Sequence, residues 1–475
     1  MHSYRHRHQH TKLPCIQNDT SFVKEKSNKI KSTKEILTLV LPLLLVYISN
    51  QWSRFSISYL VEFPTVQSEA MESTFNSMNI DLGFTETQYG LLASTSFTIL
   101  FALSSLIAGN LADKCDRKIL TLTSCTVWSL ATLTQSIAHS YEEVLIARFI
   151  MGGACAFAAP AAYAYIADKI SEDRAAFANS IYASGVYLGG ALASLSLLLD
   201  NMLGWRNTLA LVGWYGLLSA VVTSFVIPFE KKRDDDITIV DSVKENTKAS
   251  LMRNTVEILS IPRVQYLLLA SFFRFSAGLI IAIWAPLYYK QVFPESNSEY
   301  AVLNAIIKGG VGMSSGIMGG YLAEFLKQYR KDSSDNMTSI VNTYFDDETI
   351  LLLVPIMSSL FAIPTWYLTT HASEGNHTFE IAIFWLAVEY LVAECWFGPT
   401  IAVLQSSVEP SVQGTAQGIF VLIGALGNVS PSLLGWIYGN QLLNIPLADL
   451  LGFSVCSGYL ISFIFFVVSV TKNKR

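Results

Sequence analysis

Residues 109–118 read Gly109-Asn110-Leu111-Ala112-Asp113-Lys114-Cys115-Asp116-Arg117-Lys118, a charged segment between two apolar stretches. A related segment, Gly320-Tyr321-Leu322-Ala323-Glu324, ends another apolar stretch later in the chain, and both follow the pattern Gly-x-Leu-Ala-acid. A second matching pair, Arg54-Phe55-Ser56 and Arg274-Phe275-Ser276, lies upstream at a similar offset. Two matches in the same order indicate an internal repeat, with one copy in each half of the chain.

The composition places this repeat in a membrane. The chain has 475 residues, of which 51% are hydrophobic and 15% are charged, and its mean hydropathy is +0.39. Because an average soluble domain carries about 25% charged residues, a water-soluble protein of this length is excluded. Disordered, coiled-coil and collagen-like chains are excluded on the same grounds. The net charge of −5 does not point to a nucleic-acid partner.

Twelve apolar stretches are long enough to cross the hydrocarbon core, which takes about 20 helical residues. They lie at about 35–61, 86–110, 118–138, 143–166, 176–199, 206–228, 263–289, 300–323, 349–370, 379–405, 413–438 and 448–470. The second is interrupted by Ser and Thr, and the eighth is rich in Gly. The sequence therefore predicts an all-α polytopic membrane protein of two pseudo-symmetric six-helix bundles, an architecture typical of transporters.

The basic residues predict the orientation. With the N-terminus in the cytosol, 26 of the 32 Lys and Arg residues fall in inner segments and two fall in outer loops. We therefore expect both termini in the cytosol, while plasma and endolysosomal membranes stay open alternatives. The predicted parts are a disordered tail 1–34, bundles 35–228 and 263–470, an inter-bundle loop 229–262 and a tail 471–475.

The N-terminal tail, the outer loops and the cysteines give further information. Some 34 polar residues precede the first apolar stretch, so we do not expect a signal peptide. Histidines 2, 6, 8 and 10 are compatible with a metal-binding tract, although a plain basic tail is favoured and no metal site is predicted. Asn376-His377-Thr378 is a glycosylation sequon in a predicted outer loop. The six cysteines fall in spans or predicted cytosolic segments, so no disulfide framework is expected.

Charged and polar side chains inside the spans are candidates for substrate binding, because charge in hydrocarbon is costly. The candidates are Tyr47, Asn50, Arg54, Arg274, Trp284, Lys308, Glu389 and Glu394. Arg54 and Arg274 occupy equivalent places in the two halves and predict a clamp for phosphate or carboxylate. The alternative is that each arginine pairs structurally with a glutamate or with backbone carbonyls.

The other candidates also allow two interpretations. Glu389 and Glu394 are either proton carriers or members of static ion pairs. Trp284 either contacts an acyl chain or packs as an interfacial aromatic residue. Gly312, Gly316 and Gly320, at four-residue spacing, predict a ridge where two helices pack closely.

The segment 109–118 resembles the loop signature of the major facilitator superfamily, G-x-L-[AG]-D-[RK]-x-[GN]-R-[RK], with Asp116 in place of Gly or Asn. Arg148 and Gly152 resemble the R-x-x-x-G element of that family. The resemblance implies a gating role for the residues that carry these two elements. These residues are Gly109, Asp113, Lys114, Arg117, Lys118, Arg148 and Gly152. The alternative for the basic members is anchoring by positive charge.

Within the superfamily, the chain is most similar to the Spinster-like branch. The similarity is carried by Trp284-Ala285-Pro286, Phe397-Gly398-Pro399 and the segment from Thr415 to Pro431. That branch is associated with sphingolipids and lysophospholipids, often with proton coupling. Ser53 stands where the branch tends to have Asp, and Ala154 stands where it tends to have Glu.

These observations predict a transporter of a small organic or lysolipid-like anion, a symporter or uniporter that works by rocker-switch alternating access. The alternatives are a sugar or organic-acid facilitator and a transporter-fold receptor or scaffold that moves no solute. An enzyme is not expected, since few histidines lie outside the tail and there is no Gly-Lys-[Ser/Thr] phosphate loop. The expected partners are the substrate, the bilayer and protons; we expect a monomer without cofactor.

Overall fold

The computed structural model describes residue 30 and residues 32–63, 77–228, 253–332, 347–371, 378–409 and 412–471. Twelve long helices follow one another along this described part. They are α1 (Thr33–Tyr59), α2 (86–114), α3 (Arg117–Ser136), α4 (Tyr141–Lys169), α5 (Phe177–Leu203), α6 (Trp205–Val226), α7 (Pro262–Val292), α8 (Pro294–Tyr329), α9 (Glu348–Thr370), α10 (Phe379–Ser406), α11 (Gln413–Gly439) and α12 (Leu447–Thr471). No β-strand occurs among the described residues, and an isolated bridge joins Ile30 to Ile170.

Among the described residues, ten of these helices are long and apolar enough to cross a membrane. Of the other two, α3 is the more polar. The hydroxyls of α3 are satisfied within the helix itself, since Thr126 donates to the carbonyl of Leu122 and Thr132 to that of Trp128, both at 2.8 Å. Such bonds let a polar sequence lie in hydrocarbon. The predicted all-α polytopic fold is confirmed. The inter-bundle loop lies mostly outside the described residues, so the bounds of the two bundles stay a prediction.

Polar side chains fix the starts of several helices. Thr85 and Gln88 form a reciprocal capping box at the start of α2. Asp116 caps α3 by accepting hydrogen bonds from the backbone N–H groups of Lys118 (2.8 Å) and Ile119 (3.2 Å). The departure from the loop signature at Asp116 is therefore a helix cap.

The helices form two sets. Helices α1–α6 pack mainly on one another and are called the N-terminal group, and α7–α12 form the C-terminal group in the same way. The two groups meet along two seams, where α2 packs on α11 and α5 packs on α8. Within the N-terminal group, α4 approaches α2 closely at Gly152, where an added Cβ would lie 2.0 Å from the carbonyl oxygen of Phe97.

The glycine ridge of α8 differs from the prediction. Gly319 makes the close helix contact, because a Cβ there would lie 2.1 Å from the carbonyl oxygen of Cys395 in α10. Gly320 faces open space, and Gly312 and Gly316 accommodate the ring of Tyr187 from α5 instead of a helix backbone. The four-residue spacing of these glycines therefore identified a face of α8 that contacts other helices. The backbone of α10, however, packs against Gly319, which is next to Gly320 in the sequence.

One end of the molecule is held closed by contacts between the groups. We call it the Tyr59 end, and the opposite end, where α1 begins, the Thr33 end. The Nζ of Lys290 in α7 donates to the carbonyl oxygens of Tyr59 (2.8 Å) and Val61 (3.0 Å). The hydroxyl of Tyr89 in α2 donates to the carbonyl oxygen of Ile283 at 2.7 Å. These bonds join the two groups at the Tyr59 end.

Candidate functional site

A wide helical turn in α2 organises the first part of the site. Residues Leu91–Thr95 form a π-helical turn, and such turns often mark functional sites. The fully buried guanidinium of Arg148 binds there, with Nε donating to the carbonyl of Leu92 and Nη2 to that of Ala93, both at 3.1 Å. Its Nη1 donates to the carbonyl oxygen of Arg54, also at 3.1 Å. Arg148 therefore joins three helices and lies beside Arg54, away from the 109–118 loop.

Arg54 lies next to this cluster and faces the C-terminal group. Its Nη2 donates to the side-chain oxygen of Asn428 in α11 at 3.1 Å. Its guanidinium lies 4.9 Å from the ring centroid of Phe55 and 4.8 Å from that of Phe97. The side chain is only half-buried. Within the described part of the chain, neither Arg54 nor Arg148 has a carboxylate partner, so this side of the site carries uncompensated positive charge.

The other candidates on α1 lie one and two turns before Arg54. Tyr47 is half-buried and stacks on Tyr182, with ring centroids 4.6 Å apart. Asn50 is buried and its Oδ1 accepts a hydrogen bond from Gln51 at 3.4 Å. The Nδ2 of Asn50 has no partner among the described residues. One donor on this face of α1 is therefore free.

Arg274, the counterpart of Arg54, has a different environment. Its Nη2 donates to the carbonyl oxygen of Ala393, and its guanidinium lies 4.5 Å from the ring centroid of Tyr459. The hydroxyl of Tyr459 donates in turn to Oε1 of Glu389 at 2.5 Å. Glu389 and Glu394 are close enough to compensate the charge of Arg274. The two arginines are therefore not equivalent, because only Arg274 has carboxylates nearby.

The two carboxylates of α10 face different helices. Glu389 is buried against Tyr459 of α12. Glu394 is half-buried and lies close to Tyr187 of α5 and to Lys308. A 3₁₀ turn at Glu394–Trp396 separates the two halves of α10. Glu394 thus lies at the seam between the two groups, whereas Glu389 lies inside the C-terminal group.

Lys308 lies at the same seam. It is part of a π-helical turn, Ile307–Gly312, which occupies a place in α8 like that of Leu91–Thr95 in α2. Its Nζ donates to the hydroxyl of Tyr59 at 2.7 Å, and the Nδ2 of Asn304 donates to the same hydroxyl at 3.0 Å. A tyrosine of the N-terminal group therefore lies beside each charged residue of the seam. Tyr59 is hydrogen-bonded to Lys308, and Tyr187 lies close to Glu394.

Trp284 lies outside this charged region. Its side chain is fully buried, and its Nε1 donates to the carbonyl oxygen of Pro431 in α11 at 3.0 Å. Its ring meets that of Tyr89 edge-on, with centroids 5.0 Å apart. In this conformation Trp284 packs between α2, α7 and α11 at the Tyr59 end, and a substrate could reach it only after these helices separate.

The 109–118 loop lies at the Thr33 end. Arg117 forms an ion pair with Asp168, at the end of α4. Both residues belong to the N-terminal group, so motion of one group against the other would leave this pair intact. Lys118 is buried at the start of α3. The surroundings of Gly109, the side chains of Asp113 and Lys114, and all of Asn376 lie outside what the structure describes, so their predicted roles stay predictions.

Four residues of the site were not identified from the sequence. Three of them are tyrosines that bind or approach a charged group: Tyr59, Tyr187 and Tyr459. A buried tyrosine hydroxyl usually has a hydrogen-bond partner, so tyrosines inside the spans were the sequence signal for these positions. The fourth is Lys290, one of the two basic residues that the predicted orientation places in outer loops, whereas it lies in the last turn of α7 with 7% of its surface exposed. In the sequence, Lys290 directly follows the seventh apolar stretch, which indicated that it could belong to the end of that helix.

Comparisons with known proteins agree with this architecture. The family model described as "Major Facilitator Superfamily" matches residues 43–432. An "MFS-type efflux pump" of Mycolicibacterium smegmatis is 21% identical over 80% of this chain and 81% of its own, and a "Hexuronate transporter" of Bacillus subtilis is 21% identical over 85% and 88%.

Among solved structures, a bacterial homologue of the human lysosomal transporter Spinster, in an inward-facing and unoccupied conformation, superposes with a TM-score of 0.65. It is 18% identical over 93% of this chain and 96% of its own. At that identity the superposition establishes the fold alone. The family match covers most of the chain, and we conclude that this is an integral multi-pass membrane protein of the Major Facilitator Superfamily of transporters.

Proposed function

We propose that the chain is a secondary transporter of a small organic or lysolipid-like anion and works by alternating access. The observation that carries this proposal is the charge asymmetry of the site. Arg54 and Arg148 lie together without a carboxylate in the described residues, whereas Arg274 has Glu389 and Glu394 nearby. An anion is the ligand that would compensate the first pair.

Arg54 is the residue we assign to the anion. A guanidinium has five N–H donors, and the structure gives Arg54 one hydrogen bond, to Asn428. Arg148 uses its donors on backbone carbonyls and fixes the backbone of Arg54, so it positions Arg54 and need not contact the substrate. Arg274 lies across the site, and its charge is already compensated by the two glutamates. We therefore propose that Arg54 alone binds the anion, in place of a symmetric clamp formed by Arg54 and Arg274.

The relatives support an organic anion. Hexuronate, in the name of the Bacillus subtilis relative, is a sugar carboxylate, and its carboxyl group has the chemistry that Arg54 would bind. The Spinster-like segments of the sequence and the fold shared with the Spinster homologue support a lysolipid anion instead. Both ligands present an anionic head to the same guanidinium, and they differ in whether an acyl chain follows.

The proposed motion separates the groups at the Tyr59 end and closes the Thr33 end. If the termini are cytosolic, as the basic residues predict, the closed Tyr59 end is the end away from the cytosol. Glu394 is the carboxylate we assign to proton coupling, because it is half-buried at the seam and lies close to Tyr187 of the other group. Glu389 is buried against Tyr459. We assign it a structural role, in which it stays ionised and compensates the charge of Arg274.

Uptake into proteoliposomes tests the anchor. Radiolabelled galacturonate and radiolabelled lysophosphatidate are offered separately to liposomes that contain the wild type, Arg54→Ala or the exposed control Arg253→Ala. We expect saturable uptake of one of the two, at least a tenfold loss in Arg54→Ala and no loss in Arg253→Ala. Normal uptake by Arg54→Ala refutes the anchor, and binding without uptake by the wild type favours the receptor alternative.

The same liposomes test the coupling group. Glu394→Gln should abolish accumulation driven by an imposed pH gradient while substrate exchange continues. Glu389→Gln should impair both, since Arg274 then loses a compensating charge. Gradient-driven accumulation that survives Glu394→Gln removes this residue from the mechanism.

A further inference from the structure

The segment 59–63, at the end of α1, is held in place by residues of its own group. The backbone N–H of Met78 donates to the carbonyl oxygen of Leu60 at 3.0 Å. Asn79 binds Glu62 twice, since its Nδ2 donates to the carbonyl oxygen (2.6 Å) and its Oδ1 accepts from the backbone N–H (2.8 Å). These bonds lie within the N-terminal group, so they can persist when the two groups separate.

Two other carbonyl groups of this segment converge on one cation. The carbonyl oxygens of Tyr59 and Val61 lie 2.8 and 3.0 Å from the Nζ of Lys290 in α7. This ammonium is a single positive charge tethered to the C-terminal group. It therefore leaves the two carbonyl oxygens when the Tyr59 end opens.

Two carboxylates lie around the same ammonium. Asp200, near the end of α5, is 8% exposed, and Glu62 is half-buried. The charge of Lys290 acts on Asp200 and Glu62, and the two carboxylates act on each other. Within the described part of the chain, the carboxylate of Asp200 has neither a hydrogen bond nor a direct ion pair. One ammonium thus faces two carboxylates, which leaves the cluster with excess negative charge.

Opening of the Tyr59 end would leave this cluster without its cation. Buried carbonyl groups and carboxylates that lose their partners are costly. A proton can neutralise Asp200 or Glu62, but it cannot take the place of the ammonium between the carbonyl oxygens of Tyr59 and Val61. A metal cation can satisfy the carbonyl oxygens and the carboxylates together.

We propose that a sodium ion replaces the ammonium of Lys290 when the Tyr59 end opens. The carbonyl oxygens of Tyr59 and Val61 bind it, and Asp200 and Glu62 compensate its charge directly or through water. Backbone carbonyls at the C-terminal ends of helices serve as sodium ligands in transporters, where the helix dipole also favours a cation. A monovalent ion replaces the single charge of the ammonium one for one.

This exchange gives sodium a direction of action. Sodium and Lys290 compete for the same two carbonyl oxygens, so sodium stabilises the open Tyr59 end and its release lets Lys290 return. Access to the site rests on the alternating motion of the proposed function. The binding itself involves neither Arg54 nor the anion, so it can be tested without transport.

Thermal unfolding of the full-length protein in phosphatidylcholine nanodiscs tests the site. Lys290→Met empties it, so the unfolding midpoint of this variant should be about 2 °C or more higher in sodium chloride than in choline chloride of equal ionic strength. The wild type, whose ammonium fills the site, should show no such difference. Adding Asp200→Asn to Lys290→Met should abolish the sodium response. Adding Glu142→Gln, which removes an exposed carboxylate at the same end, should preserve it.

A labelling experiment tests the exchange with Lys290 in place. Ser58 is buried in this conformation, so a membrane-impermeant maleimide reaches Ser58→Cys only when the Tyr59 end opens. Labelling should be at least threefold faster in sodium chloride than in choline chloride, and Asp200→Asn should remove the difference.

Several results would overturn the sodium site. They are equal midpoints of Lys290→Met in the two salts, a sodium response of the same size in the wild type, and equal labelling rates of Ser58→Cys in the two salts. A larger response of Lys290→Met to calcium chloride than to sodium chloride would overturn the assignment to a monovalent ion. Because unfolding requires no solute movement, failure of this site is distinguishable from failure of anion transport.

Discussion

The ammonium group of Lys308 donates a 2.7 Å hydrogen bond to the hydroxyl of Tyr59, so a charge on α8 is held by the last turn of α1. Asn304 donates to the same oxygen at 3.0 Å. Because α1 and α8 belong to different groups, these two bonds must break before the groups can separate at the Tyr59 end. The hydroxyl of Tyr59 is therefore a point where substrate binding and conformational change can be linked.

Removing this hydroxyl should weaken the closed Tyr59 end. A hydrogen bond to a charged group contributes about 1.5–3 kcal/mol, so Tyr59→Phe should raise the open population roughly tenfold or more. The measurement is the rate at which a membrane-impermeant maleimide labels a cysteine introduced at Ser58, which is buried in this conformation.

The matched control for this prediction is Tyr163→Phe, whose hydroxyl lies away from the seam on an exposed part of α4. It should leave the labelling rate of the Ser58→Cys background unchanged. Equal rates for Tyr59→Phe and the background would show that Lys308 does not hold the two groups together.

Lys290 should hold the same end more strongly. Its ammonium satisfies the carbonyl oxygens of Tyr59 and Val61, at 2.8 and 3.0 Å, in a buried place. Lys290→Met keeps the length of the side chain and leaves both carbonyls without this donor. We expect faster maleimide labelling at Ser58→Cys and a lower thermal unfolding midpoint in detergent. The exposed substitution Lys34→Met should change neither, and an unchanged Lys290→Met would mean that water replaces the ammonium without loss.

Much of the fold could be predicted because hydropathy and charge are summed over long stretches. Apolar length located the helices, and even the polar α3 was found, since its hydroxyls bond within the helix and need no distant partner. The position of Arg54 inside a span also followed from its sequence neighbours. These are properties of one segment at a time.

The partners of the charged residues could not be predicted in the same way. Arg54 and Arg274 have matching sequence neighbours, yet only Arg274 lies near carboxylates. Helix α10 packs beside α7, whereas no acidic residue of the described N-terminal group reaches Arg54. The bond from Tyr459 to Glu389 joins residues 70 positions apart. Pairings of this kind depend on which helices are neighbours, and a single sequence does not contain that information.

Gly152 should not tolerate a larger side chain. A Cβ at this position would lie 2.0 Å from the carbonyl oxygen of Phe97, which is backbone and cannot rotate away. Gly152→Ala should therefore force α4 from α2 and cost about 1–3 kcal/mol, seen as a lower unfolding midpoint and weaker uptake. Gly418→Ala is the control, because nothing lies within 4 Å of its Cβ position. Equal stability of the two variants would mean that α2 and α4 are less closely packed than described.

Two adjacent arginines should give opposite results when each is changed to lysine. Arg148 spreads three donors over the carbonyls of Leu92, Ala93 and Arg54, a geometry that a single ammonium cannot reproduce. Arg148→Lys should leave at least one buried carbonyl unpaired and lower stability by about 1–3 kcal/mol. Arg54→Lys should keep the unfolding midpoint of the wild type, because the half-buried side chain makes one hydrogen bond, and should raise the KM for the anion. The unfolding midpoint and the KM, measured on both variants, check this contrast. Loss of stability in Arg54→Lys with a normal midpoint for Arg148→Lys would exchange the two assignments, making Arg54 the structural residue and Arg148 the candidate for the substrate.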